Sequence, residues 1–315
     1  MVVGVFIWSM ADLNILAADF EKNGQANPAV QAIVANADWA FKQPFPSVVN
    51  PGTPLAASGL LNDYVSMHRY YWPANWEDPT QGSPFPYVYR DGVDNPEHLT
   101  YPDRPAIDNL YRMLPKLAQG WYVTQNDRYA HDGMALARSW FIAANTKMSP
   151  HLQYAMQIPG TNEGSYSGIM EGRFFAEIMD ALSILSWSPS WTGADRDELK
   201  KWTTQYYNWL KNSAFGVRER NAPNNHGTWY DVQQMRIAMQ LGSSSDVTAI
   251  LWRVKMARIG TMIDPDGKQP QEITRAQALT YSFFHLEAFV MLADMVKNAK
   301  RGDLWNYSSA DGRSI

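Results

Sequence analysis

The chain of 315 residues has no cysteine. Disulfides, thiolate metal sites and cysteine nucleophiles are therefore excluded. It also lacks positive charge: 27 Lys and Arg stand against 31 Asp and Glu, a net charge of −4. A nucleic-acid binder usually shows a basic footprint, which is missing here. No apolar run reads as long enough to span a bilayer. Phosphate-binding and dinucleotide glycine loops are absent, as is a His-Glu-x-x-His zinc pattern. No Gly-x-Ser-x-Gly elbow occurs. The six histidines are scattered, so no metal or other cofactor is expected. The first ten residues are apolar but carry no basic leader. They read as the start of a mature chain whose export signal is gone, or of a cytoplasmic protein.

What is present is aromatic. The chain holds 13 Trp, 16 Tyr and 12 Phe, within a hydrophobic share of 45%. That share supports a real core. Aromatics with a polar tip line clefts as well as cores. The length permits one large domain or two ordinary ones; a single domain over residues 1–315 is expected.

Two helices are expected over residues 9–41, the first capped by Ser9 and the second opened by Asn27-Pro28. Residues 42–104 are broken by prolines but rich in aromatics, unlike a disordered tail. A loop region of this length in a compact domain is usually functional. Helices then follow at 106–124, 128–145, 169–185, 194–213, 225–241, 245–262 and 273–300, with Pro115 expected to kink or interrupt the first. Short connections imply antiparallel neighbours, and no alternating strand pattern stands out. This order suggests an all-α fold, an (α/α) toroid, with long aromatic-rich loops over its cleft.

Three stretches could carry chemistry. In Asn221-Ala-Pro-Asn-Asn-His-Gly-Thr-Trp-Tyr, Asn225 and His226 fall at a helix start. Such a start offers spare N–H donors and partial positive charge to an anion. The plainer reading makes Asn225 an N-cap and His226 a first-turn residue. In Gln271-Glu-Ile-Thr-Arg-Ala-Gln-Ala-Leu-Thr-Tyr, Arg275 and Tyr281 are six apart and do not share a helix face. Arg275 can approach Tyr281 only if the helix begins near Arg275, or through a substrate lying between them. Tyr281 and His285 share a face, and could equally be a buried hydrogen-bonded pair. In the loop 148–164, His151, Tyr154, Asn162 and Glu163 could touch ligand or merely satisfy the loop itself.

Tyr70-Tyr-Trp-Pro, Pro86-Tyr-Val-Tyr-Arg-Asp-Gly, Asn95-Pro-Glu, Met148-Ser-Pro-His-Leu-Gln-Tyr-Ala, Asn225-His226 and the Arg275–Tyr281 segment occur in order. Together they resemble the alginate-lyase-type polysaccharide lyase superfamily over roughly residues 60–290. The chain looks most like the branch with glucuronan lyases and some alginate lyases, polysaccharide lyase family 38. The classical poly-mannuronate lyases follow their Asn-His pair with Ser-Tyr-Trp, where this chain has Gly227-Thr228-Trp229. Their arginine-to-tyrosine spacing is also one residue longer. The resemblance implies an α/α toroid and metal-independent β-elimination on an anionic uronate polysaccharide. It makes Tyr281 base and acid, sets Asn225 and His226 around the reacting uronate, and gives Arg275 a supporting role.

That chemistry suits these residue types. The reaction removes the weakly acidic C5 proton while charge builds on the neighbouring carboxylate. One fixed donor aimed at such charge is worth about 3–4 kcal/mol. Tyrosine has a reference pKa of about 10, and Arg275 nearby is expected to favour the phenolate. Arg275, Arg173 and Lys147 are candidates for a local cationic patch, and Tyr71, Trp72 and Tyr154 for stacking on sugars, with Asn162 as a polar contact. A glycoside hydrolase would instead need two carboxylates across a cleft, for which Glu163, Asp231 and Glu272 are the candidates. A non-catalytic glycan-binding protein is the third reading. A secreted or periplasmic location is expected. Asn306-Tyr-Ser is a lone glycosylation sequon.

Overall fold

The computed structural model describes residues 4–50, 56–80, 82–161 and 163–315. Two N-terminal helices, α1 (Met10–Asn23) and α2 (Pro28–Phe41), start where Ser9 and Asn27 cap them. The proline-rich stretch that follows holds three short strands, β1 (Val65–Met67), β2 (Tyr71–Trp72) and β3 (Val88–Tyr89). Helices α3 (Asp103–Thr124) and α4 (Asp127–Ala137) come next, then strand β4 (Tyr154–Gln157). The rest is helical: α5 (Phe175–Leu185), α6 (Gly193–Asn212), α7 (Ala214–Arg220), α8 (Asn225–Leu241), α9 (Ser244–Arg253), α10 (Gly260–Met262), α11 (Pro270–Ile273) and α12 (Ala278–Asn298). Helices pack on their neighbours in sequence, α2 on α3, α3 on α4 and α5, α6 on α8, α8 on α9 and α12. The fold is an all-α toroid.

Several expectations need correction. The expected helix 128–145 ends at Ala137 and continues as a wider π turn, Arg138–Ile142. The expected helix 169–185 begins as a nine-residue 3-10 helix, Tyr166–Phe174. Such tight helices rarely exceed four residues, and here Gly168 and Gly172 pack so closely that a Cβ would strike Ala155 and Tyr206. The expected helix 245–262 carries a π turn at Val254–Ile259. The expected helix 273–300 is broken between Ile273 and Ala278. Helix α7 was not anticipated. Pro115 sits buried inside α3 without interrupting it, packing outweighing one lost hydrogen bond. β1 pairs with β4 and β2 with β3, in strands too short to show a period. Among the described residues α12 is apolar and long enough to cross a membrane, against the sequence expectation. Here it lies on α8 and buries His285, Ala288, Phe289 and Leu292.

Helix α8 is the axis of this packing. Every residue from Gly227 to Gln240 is buried, and so is Asn225. Many are polar, and each finds a partner on a different helix. Arg236 donates to Asp180 at 2.7 Å, both side chains fully buried. Asp180 also accepts the backbone N–H groups of Phe6, Ile7 and Trp8, which ties the N-terminal segment to the core. Asp231 is held between Arg253 and Arg258. Gln233 accepts from Tyr206 and donates to the Ile169 carbonyl.

Removing one member of a buried ion pair strands the other charge, at about 3–5 kcal/mol. Asp180→Ala is therefore expected to lower the unfolding free energy measured in urea by that much. Asp180→Ala combined with Arg236→Met should recover a large part of the loss. A single variant as stable as the parent would show that the pair does not anchor α8.

Candidate active site

A cleft of about 1270 Å³ opens between the α8 N-terminus, the α11–α12 turn, the 3-10 segment and the β2–β3 loops. It exceeds the usual small-molecule pocket. Asn225, His226, Arg275 and Tyr281 all line it.

The Asn-His pair is held from behind by acids. Asn224 caps α8 through the His226 N–H at 3.3 Å, so Asn225 is not the cap. Asn225 instead donates from its backbone N and from Nδ2 to buried Glu272, at 2.7 and 2.8 Å. One Nδ2 hydrogen is thus fixed, and the amide is locked in orientation with its second hydrogen to spare. His226 Nδ1 lies 2.7 Å from Oε1 of buried Glu219. The carboxylate fixes the proton on Nδ1 and leaves Nε2 for the cleft. Burial works against the charged imidazole, but the charge and hydrogen bond of Glu219 outweigh it and raise the His226 pKa. At the next position a Cβ on Gly227 would fall 2.3 Å from the Ala222 carbonyl and 2.7 Å from Arg258 Nη1. Arg258 reaches there to bind the carbonyls of Arg220 and Ala222 while it pairs with Asp231. The turn before Asn225 is thereby clamped.

The break before α12 lets Arg275 fold back over Tyr281, its guanidinium carbon 3.8 Å from the ring centre. This meets the condition that the spacing imposed. Arg275 is also bound by Asp91 through two nitrogens, and Asp91 is held down to about 2 by that hydrogen bond despite its burial. The Tyr281 hydroxyl lies 2.7 Å from that of Tyr70. Burial and the Tyr70 contact together outweigh Arg275, and the Tyr281 phenol is pushed well above its ordinary value. Arg275 does favour the phenolate as expected, but burial and Tyr70 outweigh it, and Arg275 is itself paired with Asp91. His285 is not Tyr281's partner either; its Nε2 bonds Thr228 at 2.7 Å.

The remaining candidates divide. Tyr71, Arg173 and Glu163 line the cleft. Trp72 does not: successive side chains of a strand point to opposite sides, and Trp72 donates to the Val93 carbonyl and packs on Trp76. Tyr154 packs on His151. Met156, in a left-handed conformation at φ 49°, lines the cleft instead. Lys147 faces Glu198 at 3.8 Å, and His151 faces Asp63. Asn162 lies outside the described residues. Asp231 is taken by two arginines and Glu272 by Asn225, so the hydrolase candidates form no pair across the cleft. Among the described residues no group of three His, Asp or Glu is placed to hold a metal.

Sequence reasoning missed His68, which lines the cleft beside Tyr70, Tyr71 and Tyr89. Its Nδ1 accepts the Tyr70 N–H at 3.3 Å. Burial, with His226 nearby, lowers it to about 4, so it is a neutral imidazole with its proton on Nε2. Glu219 and Asp91 were missed as well. Asp91 lies 184 residues from Arg275, and Glu219, though only seven residues before His226, sits on the separate helix α7.

The alginate lyase family model matches residues 47–315. The chain belongs to the alginate lyase family. An alginate lyase from Bacteroides ovatus is 32% identical, with a TM-score of 0.89 over 99% of this chain and 81% of that one. Alginate lyase A1-III from Sphingomonas species A1 is 18% identical, with a TM-score of 0.61 over 96% of this chain and 73% of that one, a likeness of fold alone. That enzyme is also solved with a tetrasaccharide bound. No curated protein matches the chain. The polysaccharide lyase class of this protein follows from the family.

The raised pKa of His226 has a measurable cause. Glu219→Gln is expected to lower its titration midpoint, read by NMR of the ring protons. The sign for stability follows: the pair's contribution is complete below the unfolded value of about 6.5 and is lost as pH rises through the folded one. That dependence should disappear in Glu219→Gln. An unchanged midpoint would remove Glu219 as the cause.

Proposed function

We propose that this lyase cleaves β-1,4-linked uronate polymers, glucuronan or poly-mannuronate, by syn β-elimination. The observation that carries the reading is the convergence of Tyr281, Asn225 and His226 on one cleft of oligosaccharide size. Tyr281 as phenolate takes the C5 proton. The C–H electrons form the C4–C5 double bond and the C4–O bond breaks. Tyr281 then returns the proton to the departing oxygen. In these sugars the C5 hydrogen and C4 oxygen are on the same side of the ring, so one phenol serves both steps. In guluronate they are on opposite sides, and a second group such as His226 would be needed.

Asn225 and His226 stabilise the carboxylate as its charge grows. The amide gives its free Nδ2 hydrogen, and the imidazolium donates from Nε2 because Glu219 occupies Nδ1. Once Tyr281 loses its proton, the Tyr70 hydroxyl can turn to donate to it, and Arg275 lies over the ring. Tyr281 titrates above His226, so the productive pair of phenolate and imidazolium is a minority form. Its population is constant between the two pKa values and falls outside them.

Placement in the branch with glucuronan lyases is part of this proposal, as is action of residues 1–315 as one domain. A polymer too large to enter a cell supports a secreted or periplasmic location.

Incubation with glucuronan or poly-mannuronate is expected to yield an unsaturated uronate absorbing in the ultraviolet. Hydrolysis would leave no double bond, and a binding protein would leave the polymer intact; either result defeats the reading. Tyr281→Phe should lower kcat by at least about 10²–10⁴-fold with unchanged thermal unfolding. Catalytic efficiency (kcat/KM) should rise with pH to a plateau beginning at the raised His226 pKa, and Glu219→Gln should shift that limb to lower pH. A strictly acidic optimum would count against a phenolate.

A further inference from the structure

The cleft is lined by five arginines, Arg69, Arg104, Arg173, Arg218 and Arg275, and they are not equivalent. Arg69 pairs with Asp94, Arg275 with Asp91, and Arg104 with Asp108 and Glu171. Among the described residues neither Arg218, which is exposed and stacked on the Tyr166 ring at 3.8 Å, nor Arg173 has an ion-pair partner, and Arg173 is the less exposed of the two. The carboxylates that act on it from a distance are Asp108, Glu171 and Glu287, and Arg104 occupies the first two. Its one hydrogen bond is from Nη1 to the Met170 carbonyl at 3.2 Å. The guanidinium lies between two rings, 4.0 Å from the centre of Phe174 and 5.4 Å from that of Phe284.

Burial pushes this cation down to about 10. A half-buried charge without a counter-ion is costly, and most of its five donors are unused. Its position is informative. Phe284 stands three residues after Tyr281 on α12 and so shares its face, one turn along. Arg173 therefore lies about one helical turn from the reacting centre, close to where the neighbouring sugar of a bound chain would fall.

We propose that Arg173 binds the carboxylate of the uronate next to the one being cleaved. It makes the enzyme selective for chains in which consecutive sugars are acidic, over chains in which acidic and neutral sugars alternate. This rests on the proposed lyase reading for the location of the reacting sugar. A planar fork suits a carboxylate through two parallel hydrogen bonds, and the flanking rings hold the fork's plane. Arg173 thus acts as a specificity residue, and its contact exists before and during the reaction.

The test uses two defined uronate trimers, one with all three carboxylates and one with only the central carboxylate. Calorimetric binding is measured with the Tyr281→Phe protein, and KM and kcat with the otherwise unaltered enzyme, each with and without Arg173→Gln. The triacid should bind at least about tenfold more tightly than the monoacid, and Arg173→Gln should abolish that difference through KM with kcat little changed. Arg173→Lys should restore part of it. Thermal stability without ligand should not fall in Arg173→Gln, because an unpaired, half-buried charge has been removed. Equal binding of the two trimers, a preference that survives Arg173→Gln, or no binding of either trimer would overturn the inference. Absence of unsaturated product from the unaltered enzyme would defeat the lyase reading instead, while the binding difference would still decide the role of Arg173.

Discussion

A helix with all its sides buried must satisfy every polar group it carries from other parts of the chain. Helix α8 is in that position, and its polar residues connect nearly every element around it. Asp231 holds the π turn after α9 through Arg253 and Arg258. Arg236 holds α5 and the N-terminal segment through Asp180. Thr228 holds α12 through His285. Buried polar networks contribute rigidity when complete and are costly when incomplete. The N-terminal end of this same helix presents Asn225 and His226. The network that fixes the helix therefore also fixes these two side chains, and in the proposed elimination it is the source of preorganisation for the developing negative charge.

Charge is layered across the cleft. Guanidinium groups face its space, and carboxylates stand behind the donors: Glu219 behind His226, Glu272 behind Asn225, Asp91 behind Arg275. The overall charge of −4 is thus compatible with a polyanionic substrate, because the acids are screened by the groups they orient. The layering also explains why Tyr281 keeps a high pKa. An arginine already neutralised by an aspartate cannot depress a phenol strongly, and burial then decides.

The helical succession was legible because amphipathic periods and caps are local. So were the Asn-His pair, Arg275 and Tyr281, which stand in motifs. The failures share a cause. Helix α8 has a mean hydropathy near that of a surface helix, so its total burial depends on partners that the local sequence does not show. The 3-10 segment needs Gly168 and Gly172 for contacts made with distant residues. Trp72 was misassigned because a two-residue strand gives no face pattern, and Tyr154 because its packing on His151 is not visible in a loop sequence. Glu219, Asp91 and His68 act through space, from separate elements, and no spacing rule reaches them.

The missing side chain at Gly227 has an implication for the family. The space beside its Cα is filled by the guanidinium of Arg258 and the carbonyl of Ala222. A Cβ there would meet the Ala222 carbonyl first, so a serine at 227 requires the preceding turn itself to move. Lyases that carry serine after the Asn-His pair must brace the preceding turn by other means. Transplanting a serine alone into position 227 would therefore unsettle the turn that carries the Asn-His pair, whatever residue stands at 258.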